Sequence, residues 1–126
     1  MSQSIVESFG VLTTLLAQRI VSFDTSVSNT VVYPPAARPM FGVTTDTVKD
    51  TTNSIPVAIA GRAKVLFNDT CSAGGLVSSD TSGRAIGIGT LVTGGTYYIG
   101  VAVETVSNST TTHEIIIQPG IAYEVP

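Results

Sequence analysis

The sequence predicts an all-β fold, a small β-barrel or β-sandwich with an N-terminal extension or arm. Short β-branched runs recur about every ten residues, and clusters of Gly, Pro, Asn, Asp and Ser separate them. No interior segment carries a convincing helical period.

The first segment, SIVESFGVLTTLLAQRIVSF from Ser4 to Phe23, is the ambiguous one. Ile5, Phe9, Leu12, Leu15 and Leu16 fall near helical spacing, Gly10 interrupts them, and Thr13, Thr14, Ile20 and Val21 favour a strand. Gln18 to Phe23 reads as a strand. What precedes it can be an extended arm, a strand or a short helix, and its apolar residues serve either as ordinary core or as an arm packed on a neighbouring subunit. The expected division is therefore an arm over residues 1–17 and a single β domain over residues 18–126.

Thr30 to Tyr33 is a short β-branched run, and Pro34, Pro35 and Pro39 follow it. Prolines are excluded from central strands, so this stretch is a loop of polyproline-like character that leads into a strand around Met40 to Val43. The polar run TTDTVKDTTNS reads as an exposed loop. Val57 to Ala60 and Arg62 to Phe67 are two runs bracketing Gly61, where the missing Cβ suggests a bulge or a tight bend. Asn68 to Gly75 is a loop, and Leu76 to Ser78 opens the next strand. Ser78 to Arg84 (SSDTSGR) holds the Asp and Gly of a hairpin turn before Ala85 to Ile88. A turn at Gly94 and Gly95 precedes a strand over Tyr97 to Val103, and the last strand, His113 to Gln118, is closed by Pro119 and Gly120.

At 126 residues the chain has the size of one domain. Folding a chain of this length buries roughly two-thirds of its surface, enough for one core rather than two. Hydrophobic residues make up 43% of it and charged residues 12%, about half the charged fraction of an average soluble domain. The surface must then be covered largely by Ser, Thr, Asn and Gly, so it is either mostly buried against partners or neutral by design, which favours an assembly component. The net charge of −3 and the scatter of Arg19, Arg38, Lys49, Arg62, Lys64 and Arg84 argue against a nucleic-acid grip. No membrane association is expected, because no apolar run reaches the roughly 18 residues that span a bilayer. The start MSQSIVESFG also lacks the basic n-region of a signal peptide.

The residues offer little chemistry. Cys71 is the one cysteine, so it can form no intrachain disulfide and reads as a packed small residue. His113 is the one histidine, and beside Glu114 it reads as a hydrogen-bonded surface group rather than a general base. The acidic pairs Asp46/Asp50, Asp69/Asp80 and Glu104/Glu114 have no spacing that fixes a dyad. GIGTLVTGG, from Gly87 to Gly95, puts Val92 where a dinucleotide fingerprint needs its third glycine. The acceptor patterns at Asn68 and Asn108 arise by chance in a chain this rich in Ser and Thr. No enzyme activity, metal or cofactor is expected.

The order of the segments ARPMFGVTTDTV, IPVAIAGRAKVLFND, CSAGGLVSSDTSGRAI and YIGVAVETVSNSTTTHEIIIQPG resembles the small capsid decoration, or cement, proteins of tailed bacteriophages. The matching positions are Gly42 and Val43, Val57 to Gly61, Ala73 to Ala85, Ile99 to Val101 and Ile115 to Gly120, within a span of roughly Arg38 to Gly120. The resemblance implies a β-barrel or β-tulip-like domain on the outer surface of an assembled icosahedral capsid, commonly a homotrimer at local threefold positions, with the major capsid protein as partner. A subunit that binds the assembled shell and not its dispersed parts stabilises the shell by bridging capsomers. The apolar N-terminal segment departs from the short polar start of that family. It supplies the first set of expected docking residues, Ile5, Val6, Phe9, Leu12, Leu15 and Leu16, and the proline loop supplies Tyr33, Pro34, Pro35, Arg38 and Phe41.

The alternative is a virion-surface adhesin or carbohydrate-binding module using the Thr-rich loops Thr44 to Ser54 and Ser107 to Thr112. Against it, the chain has no Trp, and the adjacent Tyr97 and Tyr98 point to opposite faces of a strand.

Overall fold

The computed structural model describes residues 4–35, 38–47, 54–88, 95–108 and 110–123. The expected turn at Gly94 and residues 48–53 of the expected polar loop lie outside them. The described residues form nine strands and no helix. They are β1 Ser4–Val11, β2 Ile20–Phe23, β3 Thr30–Val32, β4 Gly42–Thr44, β5 Ser54–Phe67, β6 Leu76–Ser79, β7 Ala85–Gly87, β8 Thr96–Ala102 and β9 Thr111–Ala122. The all-β expectation holds.

One sheet runs in the order β1-β3-β2-β4-β5-β7-β6-β8-β9, and the further pairings β1–β5 and β5–β9 close it into two five-strand circuits that share β5. The two halves of this 14-residue strand do different work. Ser54 to Gly61 pairs with β1, from Gly10↔Ser54 to Ser4↔Gly61, and with β4 at Val43↔Ala58 and Thr44↔Val57. Gly61 to Phe67 pairs with β9, from Gly61↔Ile117 to Phe67↔Thr111, and Phe67 meets Ala85 of β7. Gly61 ends both long ladders. Its φ of 89° lies in the left-handed region that side chains disfavour. The register against β1 also slips between Ile5 and Val6, leaving an extra residue on β5. The expected bulge or bend at Gly61 is real, but the two runs flanking it are one strand.

Alternation along the shared layer produces two cores where one was expected. Val57 and Val21 join Val11, Leu15, Val31 and Ile55 in the smaller cluster. Their neighbours Ala58 and Ile20 enter the larger one, with Met40, Val43, Val65, Phe67, Cys71, Val77, Ala85, Ile99, Ala102, Val106, Ile115 and Ile117. Adjacent strand residues face opposite ways, so β2 and β5 feed both clusters, while β1 and β3 serve only the smaller and β6 to β9 only the larger. This sharing is what lets so short a chain have two.

The hairpin expected at Ser78 to Arg84 joins β6 and β7. The Asp80 carboxylate accepts from the Ser82 and Arg84 amides at 2.9 Å and pairs with Arg84 Nε at 3.0 Å, which closes the turn. β9 runs on through Pro119 to Ala122, where an end was expected. Pairing with β5 stops at Ile117, and the β8 ladder is irregular between Tyr98 and Gly100, so no regular ladder bond is asked of Pro119. At Gly100 the strands lie so close that a Cβ would stand 2.9 Å from the Ile116 carbonyl carbon and closer still to its oxygen.

The N-terminal segment is a strand that closes the first circuit. Beyond it the chain is tied down through buried Thr44, whose hydroxyl donates to the Leu16 carbonyl at 2.6 Å and accepts from the Arg19 amide at 3.0 Å. Gln18 takes φ 61° there, and its carbonyl accepts from the Leu66 amide at 2.9 Å. Leu15, at 2% exposure, belongs to the smaller core, whereas Leu16 is 41% exposed. Leu15→Ala should therefore cost about 2–5 kcal/mol of stability. Leu16→Ala should cost well under about 1 kcal/mol, and chemical denaturation of the two variants separates core from surface.

Candidate functional site

The first circuit ends in a cluster of aromatic rings. Phe9 comes from β1, Phe23 is the last residue of β2, and Phe41 stands just before β4. Phe23 and Phe41 stack with centroids 3.9 Å apart and planes 4° from parallel. Phe9 meets both edge-on, at 5.5 Å and 5.2 Å. These are favourable geometries for aromatic pairs, worth about 0.5–1.5 kcal/mol each beyond the area they bury. Phe9 and Phe41 pack on the smaller core, while Phe23 remains 46% exposed and offers a ring to the outside.

A short loop frames this face. Asp24 Oδ1 accepts from the Ser26 and Val27 amides at 2.7 Å and 2.9 Å, and Val27 is 42% exposed. Those amides, Ser26 first, hold the Asp24 carboxyl below its ordinary value, and the nearby Arg38 guanidinium adds to them. Arg38 reaches across, donating to the Phe23 carbonyl at 3.4 Å and to the Thr25 hydroxyl at 3.3 Å.

Of the expected docking residues, Phe9, Arg38 and Phe41 converge at this face. Ile5, Val6, Leu12, Leu16 and Pro35 are exposed. Ile5 and Val6 lie toward the other end of β1, about 13 Å and about 10 Å from Phe9 at the rise of a strand, where Ile5 pairs with Ala60. Leu15 and Pro34 are buried and present nothing to a partner. Tyr33 is half-buried, its hydroxyl accepting from the Leu16 amide at 2.8 Å. Phe23 and Val27 were not among the expected residues. Phe23 could have been found as the i+2 neighbour of buried Val21 on the same strand face, at the point where the strand runs out of core.

The second circuit carries an open cavity of about 510 Å³ lined by Asp69, Thr70, Cys71, Ser72, Leu76 and Val106 among others. Cys71 is buried on its wall, and burial pushes its thiol up, away from the reactive thiolate. Val106 bridges back to Cys71 through two backbone hydrogen bonds of 3.1 Å and 2.7 Å. His113 does not pair with its sequence neighbour Glu114. Its Nδ1 stands 2.6 Å from Glu104 Oε1 and its Nε2 2.9 Å from Thr111 Oγ1, while Glu114 approaches Arg62 at 3.9 Å. Tyr97 packs on the larger core, the Tyr98 ring lies against Gly120, and Tyr123 is 54% exposed. Among the described residues no three His, Cys, Asp or Glu gather as a metal site.

Two outcomes follow from these environments. The Asp24 carboxyl sits lower in the folded chain than in the unfolded one, so its support of the loop is complete above the ordinary carboxylate range of about 4 and is lost as pH falls through the folded value. The Ser26 and Val27 amide resonances should shift on acidification, and Asp24→Asn should abolish that shift. A soluble disulfide reagent should label Cys71 slowly in the native protein and rapidly once denaturant unfolds it.

No protein-family model and no curated protein matches this sequence. Among solved structures, the chain is similar to the head fiber gp8.5 N base of bacteriophage phi29, with a TM-score of 0.69 and 13% identity over 92% of this chain and 95% of that one. At that identity the likeness establishes a shared fold, extending over nearly the whole of both chains.

Proposed function

We propose that the protein is a structural component of a bacteriophage virion, attached to the outside of the assembled capsid through contacts with the major capsid protein. The observation that carries this reading is the near-complete fold match to the base of a phage head fiber. The composition supports it, since a chain with 12% charged residues suits a life against a lattice rather than free in solution. In this reading the subunit works as a homotrimer and stabilises the shell by bridging capsomers. Many copies acting together multiply a modest interface into a large effect.

The docking surface in this proposal is the Phe9/Phe23/Phe41 face, with exposed Ile5 farther along β1 on the same side of the strand as Phe9. A half-exposed stacked phenylalanine with an arginine beside it has the make-up of an interface hot spot. Burying the exposed part of Phe23 against a partner also removes apolar surface from water.

A second reading, an adhesin or carbohydrate-binding module, draws on the hydroxyls of Thr70, Ser72, Thr105 and Ser107 around the cavity. Saturable glycan binding that disappears in the double variant Ser72→Ala/Ser107→Ala would favour it.

The capsid reading is tested by light scattering and by co-sedimentation with capsids stripped of accessory proteins. The wild type should scatter as a trimer of the 13.0 kDa chain and pellet saturably with intact shells but not with dispersed capsid protein. Phe23→Asp should weaken binding at least about tenfold, equivalent to about 1.4 kcal/mol per site, while the variant keeps its strand content. Unchanged binding by the variant would move the docking surface elsewhere, and a wild type that ignores matched shells would overturn the reading.

A further inference from the structure

Four polar groups at the start of β9 and in the loop before it form a chain. Glu104 Oε1 lies 2.6 Å from His113 Nδ1, His113 Nε2 lies 2.9 Å from Thr111 Oγ1, and the Thr111 hydroxyl donates to the Asn108 carbonyl at 3.0 Å. Three contacts need three protons. Carboxylate and carbonyl bring none, the threonine hydroxyl brings one, and the imidazole brings two when charged but one when neutral. The charged ring satisfies the whole chain: Nδ1–H donates to Glu104, Nε2–H donates to Thr111, and the threonine proton goes to Asn108. The neutral ring leaves one contact without a proton. The Nε2–H tautomer would set the Nδ1 lone pair against a carboxylate 2.6 Å away, so the neutral ring keeps its proton on Nδ1. Nε2 then takes the Thr111 proton, and the Asn108 carbonyl loses its donor.

We propose that His113 is a proton-operated latch on the loop between β8 and β9. Protonation sends the Thr111 hydroxyl to the Asn108 carbonyl and fastens the loop to the head of β9. Deprotonation turns the same hydroxyl back to Nε2 and releases the Asn108 carbonyl, while the Val106–Cys71 bonds still hold the middle of the loop. Asn108 is exposed, so water takes over its carbonyl, and the exchange alters the loop rather than the stability of the whole fold. The charged groups around the ring do not compete for its protons. Glu104 faces Nδ1 from the loop, and the Phe67 ring of β5 meets the imidazole edge-on at 5.8 Å. On the strands, Glu114 follows His113 and approaches Arg62, while Lys64 stands opposite Glu114 in the ladder. Beyond the end of β5, Asp69 bonds the Thr70 amide at 2.8 Å.

The latch reaches the cavity. The same loop supplies Thr105, Val106 and Ser107 to its wall. Thr110, at φ 63°, is the pivot, with its amide donating to the Phe67 carbonyl at 2.7 Å. The proton state of one histidine thus adds or removes one tie beside Ser107 at the edge of that wall, while the Val106–Cys71 and Thr105–Ala73 bonds hold the rest of it.

The test is nuclear magnetic resonance on the uniformly labelled chain between pH 5.5 and 8. Neutral His113 should show the Nδ1–H tautomer. The Thr110 amide, which donates to the Phe67 carbonyl, should lose protection, corrected for intrinsic exchange, by about threefold or more when the ring is deprotonated. Thr111→Val should flatten that profile and Thr111→Ser should restore it, with the melting curve of each variant reporting that it is folded. An Nε2–H tautomer at high pH, or a profile that survives in Thr111→Val, would overturn the proposal.

Discussion

Gly61 is the point on which both strand circuits hang. Each circuit needs β5 as a member, and β5 can turn from its β1 ladder to its β9 ladder because one residue takes a φ of 89° that other residues avoid. The arrangement closes sheet edges that would otherwise stand open to other chains. It also couples the two cores. Val57 and Ala58 are neighbours on one backbone and enter different clusters, so loosening either cluster disturbs the strand that builds the other. Unfolding should then be one cooperative event despite the two apolar interiors.

Local pattern was enough to read most of the strands. β-branched runs between turn residues marked β2, β3, β6, β7 and β8, and Asp80 with Gly83 marked the hairpin, because in each case the cause lies within a few residues. What stayed hidden was set over longer distances. Val57 to Ala60 and Arg62 to Phe67 look like two strands, since a glycine between β-branched runs ordinarily weakens a strand. Only the ladders on either side show that one strand continues across Gly61. Pro119 looked like an end because a strand usually needs the amide that proline lacks, and here the partners on both sides release that requirement. The near-helical spacing of Phe9, Leu12, Leu15 and Leu16 was a coincidence of two geometries: Phe9 sits in a strand, whereas Leu15 belongs to the irregular stretch that follows it.

The aromatic face was half legible for the same reason. Phe9, Phe23 and Phe41 are separated by intervals no local window spans, and their contact depends on the order β1-β3-β2-β4. Phe9 and Phe41 stood out for lying in apolar stretches outside regular strand pattern, whereas Phe23 was concealed at the end of an ordinary strand. His113 shows the converse. Its neighbour in sequence, Glu114, turns toward Arg62, and its partner Glu104 comes from across a loop. Phe23 is the exposed ring of the stacked pair at the aromatic face.

The pairing of β1 with β5 sets a schedule for the ribosome. Ser4 finds its ladder partner only at Gly61, so more than fifty residues must be made before β1 can dock. At about 5–20 residues per second, an apolar strand bearing Ile5, Val6 and Phe9 waits several seconds without its antiparallel neighbour. Distant pairings of this kind also make folding itself slow. Ser4, Glu7 and Ser8 break the apolar run of that strand, as polar and charged residues do in segments that would otherwise pair with another chain.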